Sequence, residues 1–216
     1  MEVINLPVVR LVNYMGSDES VVNAARVSFN KAVEELSYKD VKLLNYLAKH
    51  GHWSPFAHTS ISIRCKAPIF LARQLVKHQV GGSWNEVSRR YVSEEPAIYI
   101  PYFVHNSPEN AKQGCGDVHP SSSEYISEIT RISSLLVDEY NRLIEADVAP
   151  EEARMILPLN VCTEWIWTGS LYFFYRVYKQ RSDSHAQLVA QHFATELDKL
   201  MSFLYPNAWK ALKDNV

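Results

Sequence analysis

The densest chemistry in the chain lies between Arg73 and Tyr91, in the run RQLVKHQVGGSWNEVSRRY. Arg73, Lys77, Arg89 and Arg90 supply cations besides His78. Ser83 and Ser88 add hydroxyls, Gln74 and Gln79 add amides, Glu86 adds an acid, and Gly81-Gly82 loosen the middle. That mixture suits an anionic ligand with polar edges. Guanidinium groups grip phosphate in pairs of bonds, serine adds a donor, and glycines let backbone amides approach. A solvated polar loop has the same composition, so the residues alone leave both readings open. Other groups are weaker candidates. Ser88 has no GxSxG setting to make it a nucleophile. Cys162 stands between Val161 and Thr163, without a flanking cation to favour its thiolate. His50, His52 and His58 have a spacing seen at zinc sites, yet no matching acid or thiol accompanies them, so no metal is expected.

The composition narrows the partners. Among 216 residues, Lys+Arg number 22 and Asp+Glu 24, a net charge of 22 − 24 = −2. A generic nucleic-acid binder is excluded, because such proteins carry a basic excess. No apolar run approaches the roughly 20 residues of a membrane helix. MEVINLPVVR lacks the basic start and apolar stretch of a secretory signal. Cys65, Cys115 and Cys162 form no CxxC pair and are odd in number, which fits a reducing, cytoplasmic setting.

These residues need a scaffold, and the pattern is α+β. The first half mixes strands and helices with a small antiparallel sheet, and the second half is helical. Val8 to Tyr14 is predicted as a strand, and Asp18 as the cap of a helix reaching about Ser28. Val41, Leu44, Leu47 and Ala48 share a helical face that Gly51 ends. Ile61, Ile63 and Cys65 alternate with Ser62, Arg64 and Lys66, the cleanest strand signal in the chain. Pro68 suits the first turn of a helix through Leu75 and Val76. Gly81-Gly82 predict a loop, and Val87 to Ser93 a further strand. Pro101 to Ser123 is irregular. Ile126, Ile129, Ile132, Leu136, Tyr140 and Leu143 predict one long amphipathic helix. Pro150-Glu151-Glu152 begins another, and Asp183 is predicted to cap a last helix reaching Leu204. The aromatic run Leu171 to Tyr175 is expected in the core or a subunit interface. A single domain over residues 1–216 is the expectation.

Lys77-His78-Gln79, then a spacer, then Ser88-Arg89-Arg90-Tyr91 resembles the signature of flavin-dependent thymidylate synthases, the ThyX family: Arg-His-Arg followed by Ser-x-Arg-Tyr. NAARVSF (23–29), KHGHWSPFAH (49–58), KAPIFLARQ (66–74), EEARMILPLN (151–160) and RSDSHAQ (181–187) resemble further family blocks, in the family's order. The chain departs from the pattern at Lys77 and Gln79, which lose fork-shaped donors, and in a spacer one residue longer, assigned to Gly81-Gly82. Ser170, Tyr172 and Arg176 stand where family members often place Asn or Arg.

The resemblance implies reductive methylation of deoxyuridine monophosphate (dUMP) to thymidine monophosphate (dTMP). Methylenetetrahydrofolate supplies the carbon, and FAD reduced by NADPH supplies the hydride; no Rossmann fingerprint distinguishes NADPH from NADH. By motif position it places Ser88 and Arg90 on the dUMP phosphate, with Glu86, Arg89 and Tyr91 nearby and Gln74 holding the nucleotide. Arg154 and Arg181 approach from the second half, Arg181 beside the uracil ring, where a cation stabilises developing enolate charge. Ser88 and Arg181 are thus the principal catalytic candidates. Ser54, Lys77, His78, Gln79, Ser170, Arg176 and His185 are implied to contact FAD, and His52 to lie near the flavin and the folate. Blander roles compete: Arg154 pairing with Glu151, and His185 as a helix-start residue. The family also implies a homotetramer with sites between subunits. Two other functions remain open at this point. One is a non-catalytic dUMP- or dTMP-binding regulator on the same scaffold; the other is a single-stranded nucleic-acid module, which the net charge disfavours.

Overall fold

The computed structural model describes residues 2–109 and 114–215. In order, it runs β1 (Val3–Ile4), β2 (Val8–Met15), α1 (Asp18–Arg26), α2 (Tyr38–Lys49), β3 (Ser60–Pro68), α3 (Ile69–Leu75), β4 (Gly82–Glu86) and β5 (Ile98–Tyr99). There follow α4 (Ser122–Glu145), α5 (Pro150–Ala153), β6 (Cys162–Gly169), α6 (Leu171–Arg181), α7 (Leu188–Leu204) and α8 (Pro206–Asn215). Residues 110–113 of the predicted irregular stretch lie outside the described residues.

Alternation builds the sheet. Ile61, Ile63, Cys65 and Ala67 point inward from β3 and are fully buried. The strand pairs antiparallel with β2 on one side and β6 on the other, and β4 closes the order β2-β3-β6-β4. The register sets Ile63 opposite Trp167 and Cys65 opposite Trp165. Trp84 of β4 then stacks on Trp165 with ring centroids 4.4 Å apart. Helices α2, α6, α7 and α8 bury their apolar faces in the same core, which includes Leu44, Phe174, Phe193, Leu197 and Trp209. A smaller cluster of Ile98, Ile100, Val137 and Val161 seats α4.

Polar groups lock the helices. Asp18, 5% exposed, accepts the backbone N–H groups of Asn207 and Ala208 and so caps α8 from α1. Buried Asp40 pairs with Arg26, joining α2 to α1.

The α+β class and the small antiparallel sheet stand, with five corrections. Ser17, not Asp18, caps α1, and a 3-10 turn over Val27–Phe29 replaces its predicted end. Gly82 is not loop but the first residue of β4, paired with Gly169. Residues 87–93 are not a strand: Tyr91 and Val92 N–H groups bond back to the Ser88 carbonyl, which turns the chain. The second half is not purely helical, because β6 supplies an interior strand of the sheet. Asp183 does not cap the last helix; Gln187 precedes α7, and Pro206 starts a separate α8. Among the described residues, no helix is long and apolar enough to cross a membrane.

Candidate active site

Helix α3 delivers Gln74, and a turn then carries Lys77, His78 and Gln79 toward the C-terminal end of α6. His78 N–H bonds to the Leu75 carbonyl, which fixes its backbone. Its ring lies 6.4 Å from that of Trp167. Across 103 residues of sequence, Arg181 brings Nε to 3.1 Å and Nη2 to 3.0 Å from His78 Nε2. Burial, then the charges of Arg181 and Arg176, push the His78 pKa down from 6.5 to about 4. Burial also lowers the Arg181 pKa.

Arg181 opens on a hollow of about 860 Å³ that Gln74, Lys179, His185 and Gln187 also line. Gln74 Nε2 donates to Gln187 Oε1 at 2.9 Å, closing one wall. Asp183 accepts the His185 backbone N–H at 2.8 Å, and its carboxylate lies 3.0 Å from His185 Nδ1. The backbone bond, then the side-chain bond, from His185 lowers the Asp183 pKa.

A second hollow, about 360 Å³, gathers Glu86, Ser88, Arg89 and Arg154. Glu86 is held by Thr163 Oγ1 at 2.8 Å and by Trp84 Nε1 at 3.2 Å. Ser88 Oγ accepts the Arg90 N–H at 3.3 Å, so the serine shapes its own loop. Arg89 donates to the Glu94 carbonyl, and the Arg90 guanidinium lies 5.0 Å from the Tyr91 ring centre. Arg154 Nε reaches the Glu151 backbone carbonyl at 3.2 Å, not its carboxylate. Cys162 also borders this hollow, but it is 4% exposed. Burial pushes its pKa from 9.0 up to about 12, so the thiol is a poor nucleophile.

A third hollow, about 750 Å³, holds Ser83, Ser170 and Arg176 beside Trp53, Tyr172 and Phe173. Ser170 Oγ accepts the Phe173 N–H at 3.2 Å and caps α6. Leu171, Phe173, Phe174 and Tyr175 are buried as expected, whereas half-buried Tyr172 faces this hollow with its ring 5.9 Å from Trp53. Ser54 and His52 flank Trp53 in sequence and are exposed, with the His52 ring 6.0 Å from Tyr46. Lys77 and Gln79 are also exposed. Among the described residues, no group of three or more His, Cys, Asp and Glu is placed to hold a metal.

The structure therefore brings Gln74, His78, Arg181 and His185 together, and Glu86, Ser88, Arg89 and Arg154 together. The two hollows share no lining residue. The family model described as "Thymidylate synthase complementing protein" matches residues 10–207. The chain belongs to this family. The chain is similar to the flavin-dependent thymidylate synthase of Ehrlichia ruminantium (strain Gardel), 36% identical over 207 residues, 94% of this chain and 69% of that protein. The enzyme of the same name from Thermotoga neapolitana is 37% identical over 203 residues, 94% of this chain and 89% of that protein. The crystal structure of a UMP/dUMP methylase PolB from Streptomyces cacaoi, bound with 5-Br dUMP, superposes with a TM-score of 0.88 at 27% identity. That likeness covers 99% of this chain and 97% of the other.

The third hollow suits the flavin cofactor of a flavin-dependent thymidylate synthase. Trp53 and Tyr172 offer aromatic faces to a planar ring, Arg176 offers a cation, and Ser83 offers a hydroxyl. Trp53 has no counterpart among the residues singled out in the sequence, and Tyr172, noted there with Ser170 and Arg176, belongs to an aromatic run expected in the core or a subunit interface. Their signal is structural: an exposed tryptophan ahead of the turn Ser54–Ala57 and a tyrosine of α6 that border one hollow.

Proposed function

We propose that the chain methylates dUMP to dTMP, with methylenetetrahydrofolate as carbon donor and FAD, reduced by NADPH, as hydride source. The contact between Arg181 and His78 supports this most directly. It joins the KHQ and RSDSHAQ motifs, 103 residues apart, at a polar hollow. Gln74 and Arg181 hold the pyrimidine there, and the Arg181 charge stabilises the enolate that develops at a ring carbonyl. Glu86, Ser88, Arg89, Arg90, Tyr91 and Arg154 bind the phosphate end. Ser170 and Arg176 hold the flavin in the aromatic hollow of one copy, Ser54, Lys77, His78, Gln79 and His185 contact it in the assembled oligomer, and His52 borders the folate. FAD supplies the two-electron redox step that side chains lack. Because the two halves of the nucleotide site open on separate hollows, a homotetramer completes each site with residues from neighbouring copies.

The deciding experiment is an assay for dTMP from dUMP with FAD, NADPH and methylenetetrahydrofolate, repeated with each omitted and with UMP replacing dUMP. Product that requires all partners, made by yellow protein bleached by NADPH, supports the proposal. Colourless protein that binds dUMP without turnover would instead make it a regulator.

A further inference from the structure

Arg89 and Arg154 rest on backbone carbonyls. Arg181 differs from four other guanidiniums that rest on a side chain. Arg26 rests on Asp40, Arg64 on Glu164, Arg131 on Glu128 and Arg142 on Glu139, each a carboxylate. Arg181 rests on an imidazole nitrogen, at 3.1 Å from Nε and 3.0 Å from Nη2. A carboxylate is close in sequence, yet Asp183 bonds its own neighbour His185. Arginine has only donors, so both bonds require a lone pair on His78 Nε2 and place the ring proton on Nδ1. The ring is therefore neutral. Arg181 and Arg176 face it from α6 and Trp167 from β6, while Lys77 adjoins it on its own segment. The cations and burial agree with the geometry, since they drive the His78 pKa to about 4.

The distinction has a chemical consequence. A carboxylate partner aims a guanidinium but cancels most of its charge. A neutral acceptor aims it and leaves the charge for the ligand. We infer that His78 is a positioning residue for Arg181, a neutral acceptor that directs the guanidinium into the Gln74–Gln187 hollow with its full charge available to a pyrimidine oxygen. This rests on the reading that the hollow takes the pyrimidine of dUMP. It assigns His78 a task separate from touching flavin.

The test measures dUMP affinity by calorimetry on the full-length, flavin-loaded protein, with flavin content and melting temperature matched across variants. His78→Ala should weaken dUMP about tenfold or more, because a bond to a charged group is lost. His78→Gln, a neutral acceptor, should recover most of that loss. His78→Asp keeps an acceptor but cancels charge, so it should stay weak. In an Arg181→Ala background, His78→Ala should cost nothing further. Equal losses in both backgrounds, or His78→Asp binding as well as wild type, would overturn the inference. A wild type that binds no dUMP would defeat the substrate reading instead. The imidazole's state is then decided by nitrogen-15 spectra, in which His78 should show a bare Nε2 and no titration between about pH 5.5 and 8. A His78 ring titrating near its ordinary value would refute the inference by itself.

Discussion

Gly82 stands directly opposite Gly169 in the β4–β6 ladder, and the Phe173 ring lies over both. A Cβ on Gly82 would come within 2.3 Å of that ring, and one on Gly169 within 2.2 Å. The glycine in the longer spacer thus has a packing role: it clears a seat for an aromatic side chain of α6. Phe173 also borders the aromatic hollow assigned to flavin. Gly82→Ala or Gly169→Ala should force the ring to move and cost about 1–3 kcal/mol, as overpacking does. Urea unfolding measures the loss. Flavin titration should show weaker binding in the same variants. Adding Phe173→Leu to Gly169→Ala should return part of both. A Gly169→Ala protein as stable as wild type would refute the seat.

The cap that Asp18 places on α8 is a second long-range dependence. Its carboxylate accepts Asn207 N at 2.8 Å, Asn207 Nδ2 at 2.9 Å and Ala208 N at 2.9 Å. Asp18→Ala leaves these donors at a nearly buried position, at a cost of about 2 kcal/mol. Hydrogen exchange should report the change locally, with faster amide exchange at the start of α8 than in α4. Uniform acceleration in both helices would mean that Asp18 supports the whole fold equally.

What was legible in the sequence follows from physical exposure. Strand β3 has one buried and one polar face, so Ile61, Ile63 and Cys65 disclosed it by alternation. Strand β6 lies between β3 and β4 and carries apolar groups on both faces, with Ile166 between Trp165 and Trp167, and its period was hidden. Ser17 and Asp18 are both good capping residues, and only the fold decides that Asp18 serves α8 instead of its own helix. Motif resemblance singled out His78 and Arg181 separately. Nothing local in either segment disclosed that the two side chains touch.

Cys162 borders the hollow of Ser88, yet its environment argues against covalent chemistry. Its thiol keeps its proton up to about 12, against 9.0 ordinarily, because burial penalises the thiolate. Native protein treated with iodoacetamide near neutral pH should be alkylated at exposed Cys115, while buried Cys65 and Cys162 are spared; peptide mass spectrometry reads this directly. Cys162→Ser should retain substantial dTMP formation. The sign of the pH effect follows from the raised pKa. Between 9.0 and about 12 the unfolded chain loses a proton that the folded chain keeps, so stability falls as pH rises through that window. A Cys162→Ser protein should show a shallower decline there. Complete loss of activity in a folded Cys162→Ser protein would point back to a thiolate.

Arg181 carries the heaviest chemical demand. Its guanidinium is the cation assigned to the pyrimidine oxygen, and removing a donor aimed at developing negative charge typically costs about 100-fold or more in rate. Arg181→Ala should therefore nearly abolish dTMP formation while bound flavin stays yellow, because the flavin contacts are assigned to other residues. The substitution also removes one of the two charges that depress the His78 pKa, though burial and Arg176 remain. His78 should then titrate at a higher pH than in the wild type, without fully regaining its ordinary 6.5. The assay and a proton NMR titration of His78 make independent checks. A fully active Arg181→Ala enzyme would remove this residue from the site, and an unmoved His78 titration would show that the two side chains do not meet in solution.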